Sequence, residues 1–273
     1  MSIAVIIPTR NRAKLLARAL ASVDEGLDVV VVDDASDLQT RARNQKIAED
    51  TSAIYIYNEV RRGAAKSRNL AAAEVSGDWL CFLDDDDQLV EGFFTAVKQQ
   101  IGTHPEVGGW VPDVVGGVPR RRHPVGLDDV RLRNQVGGCS GLLIRKKLFD
   151  DLGGFDEAFE SMQDWDLWIR LIERHALYYS GVTSVIYDSA SEEKITHDLK
   201  AKYRGLRRLY LKHHQVWSVA DRKQHLVRLW ALRQLLDPYG PRWFACFRRV
   251  LVWPVALGYY LKWRKFLTET EAN

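Results

Sequence analysis

Apolar and polar positions over the first third of the chain alternate between two periods. Ile3–Ile7 is a continuous apolar, β-rich run closed by Pro8. Ala13, Leu16, Ala19, Leu20 and Val23 then recur at helical spacing, with Asn11 placed to cap that helix. The unit repeats. Asp28–Val32 is a second β-branched run ending at Asp33 and Asp34, Ser36 or Asp37 can cap a polar helix to about Glu49, and Ala53–Tyr57 makes a third strand. After Gly63 the Ala-rich stretch Ala64–Val75 predicts a helix, and Trp79–Leu83 a fourth buried strand that runs into Asp84, Asp85, Asp86 and Asp87. Strands alternating with helices in this way predict an α/β fold, a mostly parallel sheet covered by helices.

Farther along, Val90–Ile101 predicts a helix, and the Gly-, Pro- and Arg-rich stretch Trp110–Gln135 a long surface loop. Gly141–Ile144 resumes a strand, Asp164 to about His175 carries Trp165, Trp168, Ile169 and Ile172 at helical spacing, and Leu177–Tyr187 is β-rich. Beyond Ser189 the pattern is helical: Leu199–His214, Asp221–Leu236 and, broken by Pro254, Trp243–Leu267. We therefore expect a first domain over 1–190, halved near residue 103, and a helical extension over 191–273.

Composition sharpens this division. The net charge of +3 conceals a split, because 191–273 hold 17 Lys/Arg against 7 Asp/Glu and five of the nine tryptophans. An anionic surface is a natural neighbour for such a segment. Its uninterrupted apolar run, Val250–Leu261, is 12 residues long, short of the roughly 20 that cross a bilayer. Flanking Arg248, Arg249, Lys262, Arg264 and Lys265 suit either a helix lying on an anionic leaflet or a cap packed on the first domain. No nucleic-acid motif accompanies the positive charge. The three cysteines (81, 139, 246) are far apart without CxxC spacing, which excludes a disulfide framework and a zinc site and fits a cytoplasmic protein, peripheral to a membrane at most. The apolar start is too short for a secretory leader.

The candidate chemistry lies at one sheet edge. Open α/β sheets bind ligands outside the carboxyl ends of their strands, where the segments after the first, second and fourth strands converge. Four adjacent aspartates after a buried strand repel one another unless something cationic neutralises them, and a hard divalent ion such as Mg²⁺ or Mn²⁺ does so. The spacing of Asp84 and Asp86 puts both on one side of an extended segment; the alternative is a solvated turn or a helix cap. Arg68 suits a phosphate, or pairs with one of those aspartates. Asp33 and Asp34 can accept hydrogen bonds from a base or ribose, or cap the next helix. Thr9 and Arg10 complete the ring of polar groups.

The set VIIPTRNR (5–12), VVDDAS (31–36), GAAKSRN (63–69), FLDDDD (82–87), GGCSGLLIRKKLFDDLGGFDE (137–157) and QDWDLWIRL (163–171) resembles the family 2 glycosyltransferases of GT-A fold. The resemblance covers about the first 190 residues. It implies a nucleotide-diphosphate sugar in a crevice lined by Pro8, Thr9, Arg10, Asp33, Asp34, Gly63, Arg68, Asp84 and Asp85, with Thr9, Arg10 and Asp34 near the base and Arg68 near the diphosphate. It places Asp84 and Asp86 on a divalent metal, Mn²⁺ or Mg²⁺. Where the family carries a Glu-Asp pair this chain has Gln163 and Asp164, so the catalytic base falls on Asp164. Inverting transfer needs one such carboxylate to take the acceptor hydroxyl's proton; position alone favours Asp164 as the cap of its helix, and the resemblance reverses that. The implied acceptor is a glycan, free or carried on a polyprenyl diphosphate, in cell-surface polysaccharide synthesis. Trp165 and Trp168 either stack on an acceptor sugar or pack in the core, and His197 is a further metal or phosphate ligand or simply solvated.

Other classes stay in view. A nucleotidyltransferase needs a Gly-rich loop after the first strand, where this chain has Pro8-Thr9-Arg10-Asn11, and a dehydrogenase needs GxGxxG. A catalytically silent sugar-nucleotide binder or scaffold would show the same crevice without turnover.

Overall fold

The computed structural model describes residues 1–117, 122–174, 176–187 and 198–236. They divide into two compact units, Met1–Ala158 with Gln163–Glu192 and Phe159–Met162 with Glu193–Asn273.

The first unit begins with β1 (Ile3–Thr9), α1 (Ala13–Ala21), β2 (Asp28–Asp33), α2 (Leu38–Asp50), β3 (Ile54–Tyr57), α3 (Ala64–Glu74) and β4 (Trp79–Phe82). The four strands pair in parallel in the order β3-β2-β1-β4. Helices α1 and α3 pack on β1, and both β1 from Ile3 to Ile7 and β4 are buried and apolar throughout rather than alternating. Leu16, Ala19 and Leu20 of α1 join Val5, Ile7, Val31, Cys81 and Leu83 in one buried cluster.

Beyond β4 the sheet is mixed. β5 (Gln88–Leu89), α4 (Phe93–Thr103), β6 (Gly109–Val114), β7 (His123–Pro124), β8 (Leu143–Arg145), α5 (Lys146–Asp151), α6 (Gln163–Ile172) and β9 (Leu177–Ile186) follow. β8 lies antiparallel between β4 and β6, β9 is parallel to β6, and β5 and β7 pair with β9. The long loop expected from Trp110 is thus corrected: its first five residues belong to β6, inside the sheet. Pro112 hid the strand, because a proline has no amide to give a ladder. The structure absorbs it in an irregularity, with the β6–β9 register shifting between Val111 and Asp113. Beside it Gly141 adopts φ 77°, and a Cβ there would stand 2.6 Å from both Pro112 and Val185 side chains, so only glycine fits.

Asn11 is also not the cap of α1. It sits at φ 56°, and Arg12 precedes the helix. Its amide donates to Ser36 Oγ at 2.8 Å and its Oδ1 accepts from Asp37 N at 2.9 Å, which fastens the loop after β1 to the loop after β2.

In the second unit α7 (Leu199–His213) packs on α8 (Val219–Leu236). Gly205 makes room for the 159–162 segment, whose Ser161 Oγ donates to Ala201 O at 2.9 Å. Trp217 stacks on buried His225 with ring centres 3.9 Å apart. His197 and the Trp243–Leu267 segment lie outside the described residues. Among the described residues no helix is long and apolar enough to cross a membrane.

Candidate active site

The carboxyl ends of β1, β2 and β4 lie side by side at one edge of the parallel sheet, and each runs into polar residues. Pro8 and Thr9 end β1 beside Val32 and Asp33 of β2. Asp33 is fully buried: its Oδ1 accepts from Ser36 N at 2.9 Å, and its Oδ2 from Asn44 Nδ2 and Tyr55 OH, both at 2.8 Å. That carboxylate braces the start of α2. Asp34 clamps the turn into α3, accepting on Oδ1 from Asn58 Nδ2 at 3.1 Å and Arg62 N at 2.7 Å and on Oδ2 from Gly63 N at 2.8 Å. Gly63 at φ 87° lets its amide turn to that carboxylate just ahead of α3. Arg10 is exposed at the start of the β1–α1 loop.

The acidic run after β4 divides into two roles. Asp85 turns inward, accepting from Thr9 Oγ1 at 2.7 Å and from Arg12 Nη1 at 3.1 Å. Loss of hydration pushes its carboxyl up to about 6 against the pull of Thr9 and Arg12. Asp84, Asp86 and Asp87 instead bring one carboxylate oxygen each within 4.8 Å of one another, a set of hard oxygen donors suited to a divalent ion. The sequence pointed to Asp84 and Asp86; the structure adds Asp87. Ser140 organises the loop, accepting from Asp84 N at 3.1 Å while its hydroxyl donates to Asp87 Oδ2.

Arg68, on the buried face of α3, is 3% exposed and pairs through Nη2 with Asp84. Of the two readings the sequence left open, the ion pair exists, yet it engages only part of the guanidinium: Nε and Nη1 are buried without a hydrogen-bond partner. Burial disfavours its charge, but Asp84 outweighs that and keeps the group cationic. These two buried donor nitrogens call for further acceptor oxygens, and the positive charge favours anionic ones.

Asp164 lies in the first turn of α6, partly buried, and accepts from Asn134 Nδ2 at 2.9 Å. Desolvation lifts its carboxyl to about 6, opposed by the Trp165 amide and the Arg68 charge and reinforced by Asp84. Arg68, Asp84 and Asp164 therefore share one electrostatic neighbourhood. Next to Asp164, Gln163 Oε1 is buried without a hydrogen-bond partner, and Met162 ahead of it sits at φ 65°. Cys139 also lies here, and burial pushes its thiol up, so it stays protonated. Trp165 and Trp168 are buried and donate to Val130 O at 2.7 Å and Gly137 O at 3.0 Å, which settles them as core residues that pin the 130–137 segment to α6.

Sequence reasoning missed Arg12, Asn134 and Ser140. Arg12 lies within the quoted VIIPTRNR motif; Asn134, two and three residues ahead of Val136 and Gly137, carries the signal of an Asx turn.

Residues 4–152, more than half of the chain, match the family model described as glycosyl transferase family 2, and 134–216 match one described as glycosyltransferase like family 2. The chain belongs to glycosyl transferase family 2. Its relatives include an uncharacterized glycosyltransferase of Haemophilus influenzae, 28% identical over 188 residues and covering 63% of this chain and 62% of that one. WcaA of Escherichia coli, named for glycosyl transfer in colanic acid biosynthesis, is 27% identical over 251 residues, 85% of this chain and 88% of its own. A Campylobacter jejuni protein named GalNAc(5)-diNAcBac-PP-undecaprenol beta-1,3-glucosyltransferase is 33% identical over 104 residues, 36% and 34% of the two chains. In fold the chain is similar to Staphylococcus aureus TarS 1–349, solved in complex with UDP, with a TM-score of 0.61 at 20% identity over 89% of this chain and 74% of that one. That likeness places the α/β architecture among GT-A folds.

Proposed function

We propose that this family 2 glycosyltransferase is an inverting, metal-dependent enzyme that takes a sugar from a nucleotide diphosphate and passes it to a glycan or polyprenyl-linked glycan in cell-surface polysaccharide synthesis. The observation that carries the reading is the position of Arg68: a buried guanidinium with two unpartnered nitrogens, set among the acidic loop and the Asp164 carboxylate. The donor's diphosphate meets that demand. The TarS complex with UDP supports a nucleotide in such a crevice, the names of WcaA and the Campylobacter relative support the acceptor class, and peripheral contact with an anionic membrane through 243–267 is part of the same reading.

Asp84, Asp86 and Asp87 fit a divalent ion by number, type and closeness of their oxygens. When bound, Mn²⁺ or Mg²⁺ would supply charge neutralisation for the diphosphate. The protein's own groups do the rest. Thr9, Arg10 and the Asp34 clamp shape the base end of the crevice. Asp164 accepts the proton of the acceptor hydroxyl as that oxygen bonds to the anomeric carbon, and the bond from that carbon to the diphosphate oxygen breaks on the opposite face. The departing negative charge falls on Arg68. A carboxyl near 6 is ionised at neutral pH yet basic enough to help, the condition a general base needs.

Asp164→Asn tests this. With a panel of UDP- and GDP-sugars and Mn²⁺, turnover should fall by roughly 10²–10⁴-fold, while donor-induced thermal stabilisation persists. Retained turnover would sink the assignment.

A further inference from the structure

Asn134 makes more side-chain hydrogen bonds than any surface turn requires. Its Oδ1 accepts from Val136 N and Gly137 N, both at 3.1 Å, and its Nδ2 donates to Gly137 O at 2.8 Å and Asp164 Oδ2 at 2.9 Å. Backbone amides can only donate, so the oxygen must face them and the NH₂ must face Asp164; the amide orientation is fixed by its partners. The turn that Asn134 closes leads through Gly137, at φ 109°, to Cys139 and Ser140, and Ser140 holds Asp84 and Asp87. At its other end the same segment is tied to α6 by the Trp165 and Trp168 indoles. One short strap thus touches the carboxylate on α6 at one end and the acidic loop after β4 at the other.

We propose that Asn134 is a positioning residue for glycosyl transfer: it aims the Asp164 carboxylate, favours its ionised form, and holds it in register with the loop bearing Asp84 and Asp87. The inference rests on Asp164 acting as the base. The charged and titratable groups facing Asp164 are Arg68 on α3, Asp84 after β4 and Cys139 in the turn. Arg68 favours the carboxylate and Asp84 opposes it; Cys139 stays a neutral thiol. Asn134 is then the only side chain in direct hydrogen-bond contact with Asp164 among the described residues.

Two variants separate positioning from mere support of the turn. Asn134→Ala removes every bond. Asn134→Asp keeps the oxygen that accepts from Val136 and Gly137, so the turn survives, but replaces the donor to Asp164 with a second negative oxygen. The first readout is the Asp164 carboxyl titration, followed by ¹³C NMR of Asp-labelled full-length protein in EDTA, with Asp164→Asn identifying the resonance. Asn134→Ala should raise its midpoint by about one pH unit, and Asn134→Asp by more, as two facing carboxylates titrate as a coupled pair. The second readout is nucleoside diphosphate release from UDP-glucose, UDP-N-acetylglucosamine and GDP-mannose with Mn²⁺. For Asn134→Asp, kcat should drop more than tenfold at pH 7 with donor KM held within about twofold, and the acid limb of the rate profile should move to higher pH. A titration of Asp164 unchanged in both variants overturns the inference. So does wild-type kcat in Asn134→Asp. If Asp164→Asn itself keeps full turnover while the Asn134 variants shift the titration, the base assignment fails and the contact remains.

Discussion

Asp164 makes a prediction in which stability and activity move in opposite directions. In the folded protein its carboxyl is raised from 3.8 to about 6, chiefly because the partly buried site withholds water from the ionised form. The sign follows directly. A raised acid binds its proton more tightly in the folded than in the unfolded chain, so its contribution to stability is fully present below about 4 and is lost as pH rises through about 6. At 1.36 kcal/mol per unit, a shift of about two units sets an upper limit of about 3 kcal/mol on the strain of holding Asp164 ionised at pH 7. Asp164→Asn removes the charge and leaves an amide oxygen that still accepts from Asn134. In EDTA the variant should be more stable than wild type by about 1–3 kcal/mol at pH 7.5 and equal to it near pH 4. Urea unfolding at both pH values checks this, and the gain should accompany the loss of turnover, as expected where an active site holds a costly group. A variant equally stable or less stable than wild type at pH 7.5 would refute the argument that desolvation dominates at this carboxylate.

Three further substitutions probe the crevice and its support. Asn44→Ala leaves one oxygen of buried Asp33 short of a donor, and chemical denaturation should register a loss of about 1–3 kcal/mol with donor affinity preserved at temperatures where the protein is folded. Arg68→Lys keeps the charge but not the fork; calorimetric affinity for UDP with Mn²⁺ should fall tenfold or more while the melting temperature changes little, and unchanged affinity would remove Arg68 from the diphosphate. Gly141→Ala drives a methyl into Pro112 and Val185 at a left-handed position, so soluble yield and the urea midpoint should both drop, the latter by the equivalent of about 2 kcal/mol or more.

The parallel half of the fold was legible because its signals are local. Buried strands such as Val29–Val32 carry β-branched runs, and each ends where a helix cap or a carboxylate begins. The mixed half was harder. β6 is interrupted by Pro112 and lies next to β8 and β9, strands that follow it in the sequence by about 30 and 65 residues; no local pattern carries such pairings. At the site, the residue types were readable and their orientation was not. Asp33 and Asp34 look alike in sequence, yet one is spent on α2 and the other on the turn into α3. The split of the acidic run between Asp85, facing Thr9, and the Asp84–Asp86–Asp87 group depends on side-chain direction in a turn, which period-two reasoning about an extended strand does not supply.

Charge around that acidic turn links the two halves. Four carboxylates, Asp84 to Asp87, meet the guanidinium groups of Arg12 and Arg68, the first on Asp85 and Asp86 and the second on Asp84. Among the ion pairs of the described residues two positive charges stand against four negative ones, an excess of negative charge on fully ionised carboxylates; loss of hydration first, and the Asp86 charge after it, raise Asp85 to about 6. Under the proposed function a divalent cation would remove that excess, and a diphosphate arriving with it would restore negative charge for which Arg68 has unpartnered nitrogens. The proposed function therefore expects metal and nucleotide to bind as a pair more tightly than either alone. Calorimetry should find UDP affinity rising with Mn²⁺ and Mn²⁺ affinity rising by the same factor with UDP, because the coupling is reciprocal; independent binding of the two would show that the acidic turn is neutralised from within the protein.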